Sequence, residues 1–305
     1  MRFSGIFAPA TTPFDAVTGD IDIVALRGNV RRLLATELAG VVLFGSTGEG
    51  PLLDEEERVA ALEGAREVVG EKLLLAGVAS ESTRQAVRRA RQAAGAGADA
   101  VMIAPPSYFG PQLTPEALRE HYHAVADASP VPVLVYQVPR VYAGADLQSG
   151  LVAELSRHGN LVGIKDSTGD LKAMGELVAQ CSRDFAIIAG NGAMLYGALE
   201  VGAVGGILAI ANLAPAECAR IHTLKCEGGE AEAGALQERL APVHRAIVGG
   251  FGVPGVKAAL DLLGMAGGPP RAPLRALRPR EIDAVRQALE KAGVGRNNER
   301  PAPSA

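Results

Sequence analysis

Eight short apolar segments recur along this chain of 305 residues, and a stretch with helical character follows each of them. The segments are continuously hydrophobic rather than alternating, which is typical of strands buried on both faces of a parallel sheet. We predict strands at Ile6–Ala8, Val41–Phe44, Leu73–Gly77, Ala100–Ala104, Val133–Gln137, Leu161–Lys165, Phe185–Ala189 and Gly205–Leu208. Eight strands separated by helices favour an α/β fold of the (β/α)8 TIM-barrel type over a doubly wound open sheet, which is the competing arrangement.

Helical patterns fill the intervals between the segments and continue beyond the last one. Seven of them separate the predicted strands: Val24–Ala39, Asp54–Val69, Thr83–Ala94, Pro115–Ala128, Asp146–Arg157, Leu171–Cys181 and Ala193–Val201. Four more follow at Pro215–Cys226, Ala231–Val248, Pro254–Leu263 and Pro279–Ala292. We therefore place a barrel at residues 1–212, a C-terminal helical extension at 213–293, and a polar tail at 294–305 that we expect to be disordered.

Composition and charge argue against several classes of protein. The 30 basic and 34 acidic residues give a net charge of −4 without a basic stripe, so we expect no nucleic-acid partner. No apolar run reaches the length of about 18 residues that a membrane span needs, and the N-terminal stretch lacks the apolar core of a secretory signal. The odd number of cysteines, 3, does not suggest a disulfide framework. We predict a cytoplasmic protein with no membrane partner.

The first candidate site residue is Lys165, which ends a predicted strand. In a barrel of this kind, chemistry is located where strands end and the following loops begin. A salt bridge, for instance to Asp166, is one interpretation of this lysine. The other is a nucleophile, because an amine in an apolar site has a lowered pKa and can attack a carbonyl group to form a Schiff base.

A glycine-rich loop with two hydroxyl groups, residues 45–50 (GSTGEG), follows the second predicted strand. Glycines allow backbone N–H groups to approach a ligand, and such loops bind anions, whether carboxylate or phosphate. The loop lacks the Gly-Lys-Ser/Thr ending of a nucleotide-binding P-loop. A tight turn without a ligand is the alternative interpretation.

Tyr136 stands at the end of the fifth predicted strand and is followed by Gln137, Val138 and Pro139. A buried tyrosine hydroxyl needs a hydrogen-bond partner, so one interpretation is a core tyrosine bonded to the backbone. The other is a proton relay beside Lys165, one strand away. Proton transfer by a group placed in this way is worth about 10²–10⁴-fold in rate.

Taken together, these motifs resemble those of one superfamily. The GSTGE loop after strand two, the Tyr-x-Val-Pro motif after strand five and the GIKDS motif at residues 163–167 resemble the dihydrodipicolinate synthase and N-acetylneuraminate lyase superfamily of class I aldolases. The resemblance extends from about residue 3 to residue 292 and includes the helical extension. The combination of the three motifs is highly specific.

The resemblance implies a role for each motif residue. Lys165 would be the Schiff-base lysine and Tyr136 the proton-relay tyrosine. Thr47 would pass protons between Tyr136 and a second tyrosine, which Tyr108 resembles. In the superfamily that second tyrosine comes from a neighbouring subunit, so a homo-oligomer is implied, either a tetramer or a dimer.

The resemblance also implies how a small-molecule 2-oxo acid is held. Ser46 and Thr47 would bind the carboxylate of the pyruvoyl group, and Ile207 would line the pyruvate pocket. No metal and no organic cofactor is implied. Imine formation on Lys165 followed by carbon–carbon cleavage would release pyruvate.

Two members of the superfamily compete for this chain. Synthases resemble Tyr-Asn-Val-Pro-x-Arg, whereas here Arg140 comes one residue early, Val141 occupies the expected position, and Tyr142 follows. Other stretches look more like 4-hydroxy-2-oxoglutarate aldolase, namely residues 73–77 with 81–83, 202–206 with 211–212, 251–255 and 267–274. In that comparison Ser167 matches a substrate-facing serine, whereas Thr47 is synthase-like.

We therefore predict a 4-hydroxy-2-oxoglutarate aldolase that yields pyruvate and glyoxylate. The alternatives within the superfamily are 4-hydroxy-tetrahydrodipicolinate synthase, which condenses pyruvate with aspartate semialdehyde, and a sugar-acid aldolase or dehydratase. A different class of alternative is a non-catalytic regulator that binds a 2-oxo acid on the same barrel, since a fold does not determine a function.

Overall fold

Eight parallel strands close into a barrel in a computed structural model that describes residues 3–139 and 145–295. The strands are β1 Gly5–Pro9, β2 Gly40–Leu43, β3 Leu73–Gly77, β4 Ala100–Ile103, β5 Val133–Gln137, β6 Leu161–Asp166, β7 Ala186–Ala189 and β8 Gly205–Ile207. Each strand pairs with the next one, and β8 pairs with β1. The predicted (β/α)8 barrel is thereby confirmed, and the open doubly wound sheet is excluded because β8 returns to β1.

Helices cover the outside of the barrel. They are α1 Ile23–Leu34, α2 Glu55–Val69, α3 Thr83–Gly95, α4 Pro115–Ala128, α5 Ser149–Leu155, α6 Leu171–Gln180, α7 Leu195–Glu200 and α8 Pro215–Glu227. The start of α2 is fixed by a capping box, because the Asp54 backbone N–H donates to Glu57 Oε2 at 2.9 Å. The division of the chain at residue 212 stays a prediction, and α8 lies beyond it although it packs against β1 and α7.

The C-terminal region continues with α9 Glu230–Val243, a π-helical segment His244–Gly249, α10 Gly250–Leu262 and α11 Pro279–Ala292. The sequence patterns predict an interruption between Val248 and Pro254, but helical structure continues through it. The change of direction lies at Gly252, whose φ of 59° and ψ of −143° interrupt the helical backbone. Glycine permits this left-handed conformation, which side chains with a Cβ rarely adopt. No helix in the described part of the chain is long and apolar enough to cross a membrane.

Apolar side chains form two layers, because residues along a barrel strand alternate between its interior and the surrounding helices. The larger cluster packs between strands and helices. The smaller cluster fills the interior and comprises Phe3, Phe7, Val42, Leu75, Ala100, Met102, Leu134, Tyr136, Val138, Ala186, Ile188 and Ile207. Tyr136 and Ile207 therefore belong to the inside of the barrel, at the strand ends where barrel enzymes have their sites.

Candidate active site

Lys165 and Tyr136 lie side by side in register on the adjacent strands β6 and β5. Lys165 is 6% exposed, and its Nζ atom lies 4.3 Å from the centroid of the Tyr136 ring. The neighbouring Asp166 is engaged elsewhere, since its Oδ1 accepts the backbone N–H and the hydroxyl of Thr168, both at 2.7 Å. No carboxylate within residues 3–139 and 145–295 forms an ion pair with Lys165, so the salt-bridge interpretation finds no support there.

The hydroxyl of Tyr136 is surrounded by polar groups although the residue is buried. It forms hydrogen bonds with the side chains of Ser167, Ser46 and Lys165. Burial by itself would raise the pKa of Tyr136, but the positive charge of Lys165 and these hydrogen bonds outweigh it and lower the pKa below its ordinary value. The lowered pKa favours the phenolate form, which is the form of the side chain that can accept a proton.

The loop at residues 45–50 has a compact backbone that presents two hydroxyl groups. Phe44 and Glu49 adopt left-handed conformations with φ of 59° and 54°, and a Cβ on Gly50 would lie 2.0 Å from the Phe44 carbonyl oxygen. Within the described ranges, the backbone N–H groups of Ser46 and Thr47 donate to no backbone carbonyl. Two hydroxyls and two available amides form a site that suits a carboxylate.

Two buried polar side chains form hydrogen bonds with the backbone of this loop. Arg58 donates hydrogen bonds to the carbonyl oxygens of Gly50, at 2.9 Å, and Gly77, and its guanidinium lies 4.7 Å from the centroid of the Phe44 ring. Thr12 Oγ1 donates to the Gly48 carbonyl oxygen at 2.7 Å. Burial lowers the pKa of Arg58 to about 10, with Arg89 adding to the effect and Glu55 opposing it. The loop is therefore held in one conformation before any ligand binds.

Residues of the C-terminal region also hold this loop, through contacts with the side chain of Glu49. Lys257 Nζ lies 2.5 Å from Glu49 Oε1, and the two side chains are 1% and 0% exposed. The same ammonium donates to the Pro269 carbonyl oxygen at 2.8 Å and lies 4.3 Å from the centroid of the Phe14 ring. Glu49 Oε2 also accepts the backbone N–H of Arg271 at 2.8 Å. The sequence patterns do not reveal this contact, although a lone carboxylate inside a loop of small residues was a clue that it needed a partner.

Ser167 follows β6 directly and is 8% exposed. Its backbone N–H donates to the Gln137 carbonyl oxygen at 3.0 Å, which joins it to the end of β5. A Cβ on Gly190, at the end of β7, would lie 1.9 Å from Ser167 Oγ. The absence of a side chain at Gly190 therefore makes the space for this hydroxyl, a requirement that only the register between β6 and β7 reveals.

The remaining predicted residues occupy different environments. Ile207 is fully buried on β8, opposite Phe7 and in the interior cluster that contains Tyr136. Thr47 is half-buried, and within the described residues no hydrogen bond joins it to Tyr136. Tyr108 is 80% exposed, and its ring meets that of Phe109 edge-on at 5.0 Å. One chain by itself thus does not bury Tyr108 in the site.

Arg140 and Tyr142, which follow the Tyr-x-Val-Pro motif, lie outside the described residues. Within residues 3–139 and 145–295, no group of three or more His, Cys, Asp or Glu side chains is arranged to hold a metal ion.

Comparison with known proteins places this geometry in context. The chain matches the model of the dihydrodipicolinate synthetase family over residues 2–292. A 4-hydroxy-tetrahydrodipicolinate synthase of Methanoculleus marisnigri is 37% identical over 95% of this chain and 100% of its own length. A probable mitochondrial 4-hydroxy-2-oxoglutarate aldolase of Emericella nidulans is 35% identical, with 94% of each chain covered. The solved structure of 4-hydroxy-tetrahydrodipicolinate synthase from Methylacidiphilum fumariolicum is 30% identical with a TM-score of 0.90, and 96% of each chain is covered.

The closed (β/α)8 barrel and the names of the matched relatives together identify a lyase of the TIM-barrel class. The chain belongs to the dihydrodipicolinate synthetase family. Relatives of similar identity bear the names synthase and aldolase, so the choice of substrate has to be argued from the site.

Proposed function

We propose that this enzyme is a class I aldolase that cleaves 4-hydroxy-2-oxoglutarate to pyruvate and glyoxylate through an imine on Lys165. The proposal rests first on the setting of the lysine, which is buried beside Tyr136 and has no carboxylate partner in the described part of the chain. The amine of a lysine in such a site is the nucleophile that attacks the C2 carbonyl group of a 2-oxo acid.

The pyruvoyl end of the substrate would lie between the 45–50 loop and the barrel interior. The hydroxyls and amides of Ser46 and Thr47 would bind the C1 carboxylate, and Ile207 would contact the apolar side of the carbon chain. Because Arg58 and Lys257 already fix the loop, these donors need no rearrangement when the substrate binds, and this preorganisation favours catalysis.

The reaction then follows from the two central side chains. The amine of Lys165 condenses with the C2 ketone and releases water. As the C3–C4 bond breaks, its electron pair moves to the protonated imine, and the C4 hydroxyl gives its proton to Tyr136, so that glyoxylate leaves. Tyr136 gives that proton to C3 of the resulting enamine, and water hydrolyses the imine to release pyruvate and regenerate the lysine.

The observation that favours the aldolase is the hydrogen bond between Ser167 and Tyr136. The C4 hydroxyl of the substrate must approach the tyrosine oxygen to give up its proton, and Ser167 places a second hydroxyl beside that oxygen. It can orient the C4 hydroxyl or the distal carboxylate, both of which 4-hydroxy-2-oxoglutarate possesses. The similarity to the aldolase of Emericella nidulans supports the same choice.

Proton transfer beyond Tyr136 would involve a second chain. Tyr108 and Phe109 are 80% and 62% exposed, and such exposed aromatic side chains suit a contact with another subunit. We propose a homo-oligomer, a tetramer or a dimer, in which Tyr108 reaches the site of a neighbour and Thr47 links it to Tyr136. One solved structural neighbour is a monomeric synthase variant, so the assembly has to be measured for this chain.

A cytoplasmic location is also proposed. Cys181, Cys218 and Cys226 are all free thiols, which suits a reducing compartment.

The second candidate function is 4-hydroxy-tetrahydrodipicolinate synthase. Thr47, with its hydroxyl in the carboxylate-binding loop, is the residue that favours it, together with the synthase names of several relatives that are 33–37% identical. This reaction would use the same imine but would add the enamine to aspartate semialdehyde.

The proposal is tested by measuring pyruvate and glyoxylate release from 4-hydroxy-2-oxoglutarate. Condensation of pyruvate with aspartate semialdehyde is measured in parallel on the same preparation. The aldolase proposal expects brisk release by the wild type, loss in Lys165→Ala, and a borohydride-trapped pyruvate adduct on Lys165. A folded wild type that condenses aspartate semialdehyde but releases no glyoxylate would favour the synthase. A folded wild type that traps no pyruvate would point to the non-catalytic regulator.

A further inference from the structure

One carboxylate, Glu81, holds the loop that carries Tyr108. Glu81 lies between β3 and α3, whereas the Tyr108 loop follows β4. Glu81 Oε2 accepts the backbone N–H groups of Ser107, at 2.9 Å, and Tyr108, at 2.8 Å. Glu81 Oε1 accepts the hydroxyl of Ser107 at 2.7 Å. Three charge-assisted hydrogen bonds to one carboxylate fix the direction of the loop backbone as well as its position.

The hydrogen bonds of the Glu81 carboxylate are made to this loop. No Lys or Arg side chain within residues 3–139 and 145–295 forms an ion pair with it. Burial would raise the pKa of Glu81, but the hydrogen bonds from Tyr108 and Ser107, together with His121 nearby, lower it below its ordinary value. The carboxylate is therefore ionised at neutral pH and accepts all three hydrogen bonds in the working enzyme.

The backbone of Ser107 and Tyr108 is held by hydrogen bonds, whereas the side chains of Tyr108 and Phe109 are exposed to solvent. The side chains of Tyr108 and Phe109 are 80% and 62% exposed, and their rings meet edge-on at 5.0 Å. After the loop, the chain passes through a 3₁₀ turn, Gly110–Gln112, and enters α4. The carboxylate of Glu81 thus joins the backbone of Tyr108 to another loop of the barrel.

We propose that Glu81 is a positioning residue, whose carboxylate fixes the backbone of Ser107 and Tyr108 and so sets where the Tyr108 phenol enters the site of a second copy of this chain. The inference rests on the proposed function, in which Tyr108 takes part in proton transfer. A displacement of about 1 Å at a catalytic group can cost 10²-fold in rate, so a loose loop would slow proton transfer while the substrate still binds.

A double-mutant cycle on the assembled enzyme tests this inference. Glu81→Gln, Tyr108→Phe and the double variant are compared by kcat and KM for the cleavage of 4-hydroxy-2-oxoglutarate. Glu81→Gln keeps the size of the side chain but removes its charge and replaces one acceptor with a donor. We expect it to lower kcat by about tenfold or more with little change in KM. In the Tyr108→Phe background, the same substitution should have almost no further effect.

The result that overturns the inference is an equal fold-loss of kcat from Glu81→Gln in both backgrounds, because Glu81 would then act without Tyr108. Dissociation of the Glu81→Gln oligomer, measured by sedimentation, would also overturn it. Ser82→Ala is the matched control: Ser82 caps α3 by accepting the Gln85 backbone N–H, at the next position along the same loop. This control should lower the thermal midpoint and leave kcat unchanged.

Failure of the proposed function would look different. A wild type that forms no borohydride-trapped pyruvate adduct on Lys165 contradicts the imine mechanism itself. A wild type that traps pyruvate normally, combined with a Tyr108→Phe variant of full kcat, leaves the imine mechanism intact and refutes the roles of Tyr108 and Glu81 together.

Discussion

Glu49 and Lys257 form a buried ion pair that joins the 45–50 loop to a helix near the other end of the chain. The C-terminal helices therefore help to hold the loop that we propose as the carboxylate-binding site. Burial lowers the pKa of Lys257, while the hydrogen bond and negative charge of Glu49 oppose the shift. Removing one partner would leave the other as an uncompensated buried charge.

Lys257→Met should therefore destabilise the protein strongly. We expect a loss of about 3–5 kcal/mol in the free energy of unfolding, measured by urea denaturation, and weaker binding of pyruvate. Lys225→Met is the control, because Lys225 pairs with Glu230 at 3.3 Å near the surface, and loss of this pair should change the free energy of unfolding little. Equal losses in the two variants would show that the buried pair has no special importance.

Tyr136→Phe should lower kcat by about 10²–10⁴-fold while the pyruvate adduct on Lys165 still forms, since it removes only the hydroxyl that accepts the substrate proton. Tyr122→Phe is a matched control. Tyr122 is fully buried, and its hydroxyl has no hydrogen-bond partner within the described residues. Removal of that hydroxyl should leave kcat unchanged and not reduce stability. A Tyr136→Phe enzyme with normal turnover would exclude the proposed proton transfer.

Gly190→Ala should damage both stability and catalysis. The new methyl group would lie 1.9 Å from Ser167 Oγ and 2.8 Å from the Asp166 carbonyl oxygen, so a strand end must shift. Overpacking of this kind costs about 1–3 kcal/mol, and the displaced Ser167 should lower kcat/KM as well. Thermal denaturation and pyruvate release measure the two effects.

The control for that substitution is Gly234→Ala, in the interior of α9, where a Cβ would meet no atom within 4 Å. Alanine is preferred over glycine in a helix by about 1 kcal/mol, so this variant should be at least as stable as the wild type. If Gly190→Ala behaves in the same way, the close contact with Ser167 is not a constraint.

His121 should make stability depend on pH below neutrality. Burial lowers its pKa to about 4 from 6.5, against the opposing charge of Glu81. The unfolded chain therefore binds the proton first as pH falls. The contribution of the neutral buried form is fully present above pH 6.5 and is lost progressively towards pH 4.

The measurement is urea denaturation at several pH values for the wild type and His121→Gln. We expect the wild-type free energy of unfolding to fall by up to about 1.4 kcal/mol per pH unit more steeply than that of the variant over this range. Parallel curves for the two proteins would assign the acid sensitivity to other groups.

The barrel could be predicted from the sequence because each strand is a local run of apolar residues. Such a run can be recognised without knowing which strands lie next to it in the fold. The placement of Lys165 and Tyr136 at strand ends could be predicted for the same reason, whereas Ser167 is predicted only from the resemblance to the aldolase. The boundaries of the helices could not be predicted as well. The sequence pattern predicts two separate helices on either side of residues 249–253, whereas the folded chain joins them through a π-helical segment and bends at Gly252.

Contacts between distant parts of the chain could not be predicted in this way. The pairing of Glu49 with Lys257, the close approach of Gly190 to Ser167 and the anchoring of the Tyr108 backbone by Glu81 all depend on how neighbouring strand ends are aligned. A sequence pattern describes one element at a time, and these contacts arise only after the barrel has closed.

Closure of the barrel between β1 and β8 also determines when the strands of a newly synthesised chain can pair. β1 finds its second neighbour only in β8, and the Ser4 hydroxyl donates to the Val204 carbonyl oxygen across a sequence separation of 200 residues. At a synthesis rate of about 5–20 residues per second, β8 is synthesised about 10–40 s after β1, and one edge of β1 stays unpaired during this time. The first strand to be made is therefore among the last to be completed, and during that interval it is an open edge that other chains can reach.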